Sequence, residues 1–91
     1  MKLKEGIIIS EINGEFVAVP AGAASKSFNG MIRMNQTAAM IAKMLQSGSD
    51  ESTIVAAMCE QYDVDEPTAR EDYGLVIEQL DALHLIDRDD E

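Results

Sequence analysis

Two runs of strand-forming residues, Ile7-Ile8-Ile9 and Phe16-Val17-Ala18-Val19, stand on either side of Asn13-Gly14. A two-residue type I′ turn needs φ > 0 at both central positions, and Asn-Gly is the pair that adopts it at least cost. The pattern commits the N-terminal part of the chain to an antiparallel hairpin, with strands over residues 6–12 and 15–19. Pro20 ends the second strand, because it has no N–H to give to a ladder.

Residues 20–30 are mostly small and carry no apolar period, which marks a long loop: a connector, or a mobile lid over a binding site. The apolar residues of 31–34, interrupted by Arg33, predict a third strand. From there the period changes to that of helices. Asn35 is placed to cap a first helix over 36–46, with Ala38, Ile41 and Leu45 on its buried face. Gly48 suits a left-handed stop. Ser49 or Asp50 caps a second helix over 51–61, whose stripe is Ile54, Val55, Met58 and Tyr62. Asp65 caps a third over 66–83, with Pro67 in its first turn, where the N–H groups lack partners anyway. Its stripe runs Ala69, Tyr73, Val76, Ile77, Leu80 and Leu83, and Gly74 is simply tolerated within it. After Leu85-Ile86, residues 87–91 form an acidic tail.

Ninety-one residues make one domain, with an ordered core over 6–86. Three strands then three helices, with one sheet face on the helices, give an α+β domain of winged helix-turn-helix type. Aromatic residues are few, so the core is aliphatic with Met as adaptable filler.

Seven basic residues face seventeen acidic ones, a formal net charge of −10. Such a chain is repelled by phosphate backbones and anionic lipid. The third helix, where a winged fold would read DNA, has Asp65, Glu66, Glu71, Asp72, Glu78 and Asp81 against a lone Arg70. Nucleic acid and membrane are therefore not expected partners. No signal peptide or spanning segment is visible, and the lone Cys59 forms no internal disulfide, so the expected location is the cytoplasm.

Nothing converges on catalysis. His84 is the sole histidine and reads as a partly exposed residue near a helix C-terminus. Cys59 reads as a small buried hydrophobe. Asp63, Asp65 and Glu66 read as a turn and caps rather than a calcium loop. No catalytic residue, metal ligand or cofactor site is assigned. What remains is binding: a short edge strand offers unpaired backbone groups to an extended peptide, unless the third helix covers it.

A family resemblance adds weight to this. Met34-Asn35-Gln36-Thr37-Ala38-Ala39-Met40-Ile41 resembles the Leu-Asn-x-Thr-Ala/Gly-x-x-Ile segment of PqqD-like proteins, also called RiPP recognition elements. Leu45-Gln46-Ser47-Gly48 with Ile54-Val55, then Tyr62-Asp63-Val64, Thr68-Ala69-Arg70-Glu71-Asp72 and Leu80 through Ile86 follow in that family's order. The resemblance implies a non-catalytic module that binds the leader of a ribosomally made precursor peptide. The leader would lie as an added strand on the third strand, against the third helix, for a separate modifying enzyme such as a radical SAM maturase. Carried onto this chain, the contact positions are Met31, Ile32, Arg33 and Met34, faced by Asp72, Leu75, Val76 and Gln79. Arg33 and Asp72 are expected to pair across the groove or to offer their charges to the leader.

Ala42 stands where many relatives have Trp, and His84 where they have Gly. The 20–30 loop is longer than in the member serving pyrroloquinoline quinone synthesis, which favours another peptide pathway. The alternative function is a protein–protein adaptor or regulator with no leader peptide. The open edge also permits a strand-exchanged homodimer.

Overall fold

The structure, a computed structural model, describes residues 2–21 and 31–87. Among these the order is β1 (Lys2–Leu3), β2 (Ile7–Ile12), β3 (Glu15–Pro20), β4 (Ile32–Met34), α1 (Gln36–Gln46), α2 (Glu51–Tyr62), α3 (Glu66–Ala82) and β5 (Ile86–Asp87). Most of the loop expected over 20–30, and the tail beyond Asp87, lie outside the described residues.

The hairpin forms as its turn demands. Asn13 and Gly14 have φ of 53° and 82°, and the register runs Ile12↔Glu15 to Ile7↔Pro20. Pro20 is thus the last residue of β3 rather than the residue beyond it. β4 adds antiparallel to β3, giving a sheet in the order β2-β3-β4. With the three helices this is the expected α+β arrangement.

Each helix starts on a side chain that satisfies an orphan donor of its first turn. Asn35 Oδ1 accepts from the Ala38 N–H at 2.8 Å, Asp50 from Thr53 at 2.9 Å and Asp65 from Thr68 at 2.9 Å. α1 ends in a Schellman motif: Ser49 N–H donates to the Met44 carbonyl and Gly48 N–H to that of Leu45. α3 ends the same way, with Leu85 N–H on the Leu80 carbonyl and His84 N–H on that of Asp81. Here the left-handed position belongs to His84, at φ 61°.

The core lies between the sheet and the helices. Ile41, Leu45, Ile54, Met58 and Leu85 are its largest fully buried side chains, and Tyr73 is its buried aromatic. Burial raises the Tyr73 phenol pKa above its ordinary value, with Glu51 and Asp50 adding to the shift. Gly74 has open space around it, so no close-packed neighbour requires a glycine there.

Three expectations change. Leu83 caps α3 and is largely exposed; the chain turns at His84, so Leu85 and Ile86 fill the core instead. Cys59 is half-buried at the edge of the core. Residues 2–3 and 86–87 also form a strand pair: β1 pairs antiparallel with β5, and Leu3 and Ile86 are both buried. Lys4 N–H donates to the Leu85 carbonyl at 2.9 Å, which ties the start of the chain to the end of α3.

Candidate functional site

β4 is an edge: among the described residues it pairs only with β3. Parity decides which of its backbone groups face outward. In a two-residue hairpin the closing pair is hydrogen-bonded, and bonded pairs recur at every second residue. Ile12↔Glu15 closes this hairpin, so Ser10↔Val17 and Ile8↔Val19 are bonded pairs. The bond from the Ala21 N–H to the Gly6 carbonyl continues the same alternation. Phe16 and Ala18 therefore turn their N–H and C=O groups toward β4, where Met34 and Ile32 stand opposite. Arg33, opposite Val17, falls between those bonded pairs, so its N–H and C=O point to the open side.

Side chains alternate too. Ile32 and Met34 are half-buried against the core, on the helix side of the sheet. Arg33 projects from the other face, where its Nε lies 3.7 Å from Glu15 Oε2 in a largely exposed ion pair. The expected Arg33–Asp72 pair is therefore not formed, because a residue between two core-facing neighbours in a strand cannot face the helices. Met31 precedes the strand and is 62% exposed.

Beside the C-terminal end of β4 a groove of about 250 Å³ lies between the start of α1 and α3, lined by Asn35, Thr37, Asp72, Leu75, Val76 and Gln79. The four α3 residues are spaced i, i+3, i+4 and i+7 and so share one face. All four site residues expected on the third helix thus meet in one groove. Val76 forms a nearly buried floor and Leu75 is 52% exposed. The Asp72 side chain has no hydrogen bond or ion pair among the described residues. Asn35 and Thr37 were not anticipated as groove residues. The available signal was the cap itself: an N-cap residue is extended, here φ −78° and ψ 173°, so Asn35 prolongs the line of β4.

Other candidates stay apart. His84 is exposed beyond α3, and Cys59 lies on α2. Among the described residues no three of His, Cys, Asp and Glu come together as metal ligands, and no helix is long and apolar enough to cross a membrane. Arg70, the one base on α3, is held by Glu51 at 2.7 Å and Glu66 at 3.3 Å, so two carboxylates occupy the group that would meet a phosphate.

A small α+β domain with an open strand edge beside a groove on its last helix defines the class. Residues 5–86 match the family described as PqqD, coenzyme PQQ synthesis protein D, and the chain belongs to that family. Two solved structures share the fold. One is described as TbiB1 in complex with the TbiA(beta) leader peptide, at 24% identity and TM-score 0.73, covering 93% of both chains. The other is described as lasso peptide synthetase B1 complexed with the leader peptide, at 18% identity and TM-score 0.68, covering 89% of both chains. No curated protein matches the chain.

Proposed function

We propose that this protein captures the leader segment of a ribosomally made precursor peptide and presents it to a separate modifying enzyme, without catalysing a step itself. The observation that carries this is the open edge of β4, with the Arg33 N–H and C=O turned outward and the strand leading directly into Asn35, which lines the α3 groove. An extended peptide added there gains backbone hydrogen bonds from the edge and selectivity from the groove. Membership of the PqqD family supports the reading, as do two structures of the same fold described as complexes with leader peptides.

The contact residues are Met31, Ile32, Arg33 and Met34 along the edge, and Asp72, Leu75, Val76 and Gln79 across the groove. The benefit to the enzyme is a raised effective concentration of its substrate. The partner is a maturase such as a radical SAM protein, in the cytoplasm, in a peptide pathway other than that of pyrroloquinoline quinone. No cofactor is needed for capture. The same edge supports a strand-exchanged homodimer in the absence of leader.

A second reading, a protein–protein adaptor without a leader, draws on a different surface. Ile8 and Ile12 are each about half exposed on the sheet face turned away from the helices, near the exposed Met31.

The test is calorimetric titration with the leader peptide encoded beside this protein. One-to-one binding is expected, abolished by Ile32→Asp. Arg33→Pro removes a backbone donor that points off the sheet, together with the exposed ion pair to Glu15, so it should weaken binding roughly tenfold, the loss of one edge bond and of strand fit, while the fold persists. Ile32→Pro, which removes a donor directed at β3, should destabilise the sheet itself. A well-folded protein that binds no neighbouring leader would move the assignment to the adaptor; an Arg33→Pro variant that binds as the parent does would leave leader capture standing and move the site off the β4 edge.

A further inference from the structure

The chemistry of the occupant can be narrowed, on the assumption that the edge does take a peptide. In an antiparallel addition, the peptide residue opposite Arg33 forms the bonded pair with it, and its side chain falls on the outer face beside Arg33. The residues on either side of it project toward the helices, one of them next to the groove. Those two positions are separated by roughly 6.8 Å along a strand. On α3, Asp72 and Val76 are separated by about 6 Å of helix rise. The spacing of two alternate side chains in one peptide thus matches that of the carboxylate and the apolar floor.

Among the described residues the carboxylate is uncompensated. The Asp72 side chain has no partner among them, and none of the residues described as lining its groove is a base. Of the described bases, Lys2 lies in a separate cavity beside Asp50 and Tyr73 and Lys4 follows β1, and the other three face other groups. Arg33 sits on the opposite face with Glu15, Arg70 is held between Glu51 and Glu66, and Lys43 lies over the Phe16 ring at 5.7 Å. The chain as a whole has a formal net charge of −10, which draws cations toward it and repels acidic segments.

We infer that the groove selects an extended peptide with a lysine or arginine at one groove-facing position, engaging Asp72, and an apolar residue two positions away, resting on Leu75 and Val76. Leu75 supplies exposed apolar surface for the second side chain, and Asn35, Thr37 and Gln79 supply polar groups around the first. Recognition is thus split between backbone bonds at Arg33, which read no sequence, and the Asp72–Val76 pair, which does.

The experiment is selection of a displayed library of peptides, each with about twelve randomised residues, on the immobilised full chain; that length exceeds a typical strand. Enriched peptides are expected to carry Lys or Arg paired with an apolar residue at a spacing of two. Selection on Asp72→Lys should replace that cation with Asp or Glu. Asp72→Asn should lower the affinity of a selected basic peptide by roughly three- to fivefold and flatten its salt dependence, the effect of an exposed ion pair. Asp72 is exposed, and circular dichroism of both variants would establish that they fold. Enrichment with no basic preference, or a preference unmoved by Asp72→Lys, would overturn the charge inference and leave peptide capture standing. No enrichment on a folded chain, from a library in which a control binder is recovered, would overturn capture and the inference with it.

Discussion

His84 holds a left-handed backbone at the position just past the cap of α3, where glycine is favoured. A side chain in that region brings Cβ close to the following carbonyl oxygen, at about 1–2 kcal/mol. The conformation is kept because the turn delivers Leu85 and Ile86 into the core, both nearly fully buried. His84→Gly should keep the turn and relieve the strain, raising the unfolding free energy by about 1 kcal/mol in urea denaturation. A decrease would mean that the exposed imidazole contributes more than the strain removes. The same scale explains why Arg33 and Asp72 do not meet. A strand turns each side chain opposite to its neighbours, so a basic residue flanked by Ile32 and Met34 on the core side must face outward.

Among the elements, α2 and α3 both begin on an aspartate, and both carboxyls are held below their ordinary value of 3.8. For Asp50 the main cause is the bond from the Thr53 backbone N–H, with the Thr53 side chain second. For Asp65 it is the Thr68 side chain, then its backbone N–H. A carboxyl depressed in the folded state contributes stability that is complete above its unfolded pKa and is lost as pH falls through the folded one. Urea midpoints should therefore drop as pH falls below about 3.8. In the Asp50→Asn, Asp65→Asn double variant the drop should be shallower, because Asn caps as well at neutral pH without a charge to lose. An unchanged slope would assign the acid sensitivity to other carboxylates. The caps, the hairpin turn and the helix ends were legible because each rests on one or two residues and their nearest neighbours. β4 was legible too, though it spans only Ile32–Met34. Its place at an edge was expected as well, but which of its backbone groups face outward was not, since that depends on its register with β3.

At the scale of the molecule, β1 and β5 close the chain on itself. Leu3 is 4% exposed and belongs to the same core as Leu45, Leu80 and Leu85. Leu3→Ala should lower the unfolding free energy by about 2–3 kcal/mol, the cost of lost burial and a residual cavity. It should also speed exchange of the Lys4 amide, whose bond to the Leu85 carbonyl spans the two ends. A small effect with unchanged exchange would show that the clamp adds little to the fold. Two-residue strands carry too little pattern to be read, and Met1-Lys2-Leu3-Lys4 shows only charge flanking a leucine. Their pairing brings together residues some eighty apart in sequence, as in Leu3↔Ile86.

The amino-acid sequence by itself determined the hairpin, the three helices and their caps, and the acidic balance that argues against nucleic acid. These follow from turn chemistry, periodicity and charge, all of them local or additive. Only the tertiary structure decided that Asp72, Leu75, Val76 and Gln79, expected from the family resemblance, meet Asn35 and Thr37 in a groove, that Arg33 is bound by Glu15 on the far side of the sheet, and that residues 2–3 pair with residues 86–87. Those facts depend on sheet order and register between segments distant in the chain, and periodicity along one segment does not specify its neighbour in space.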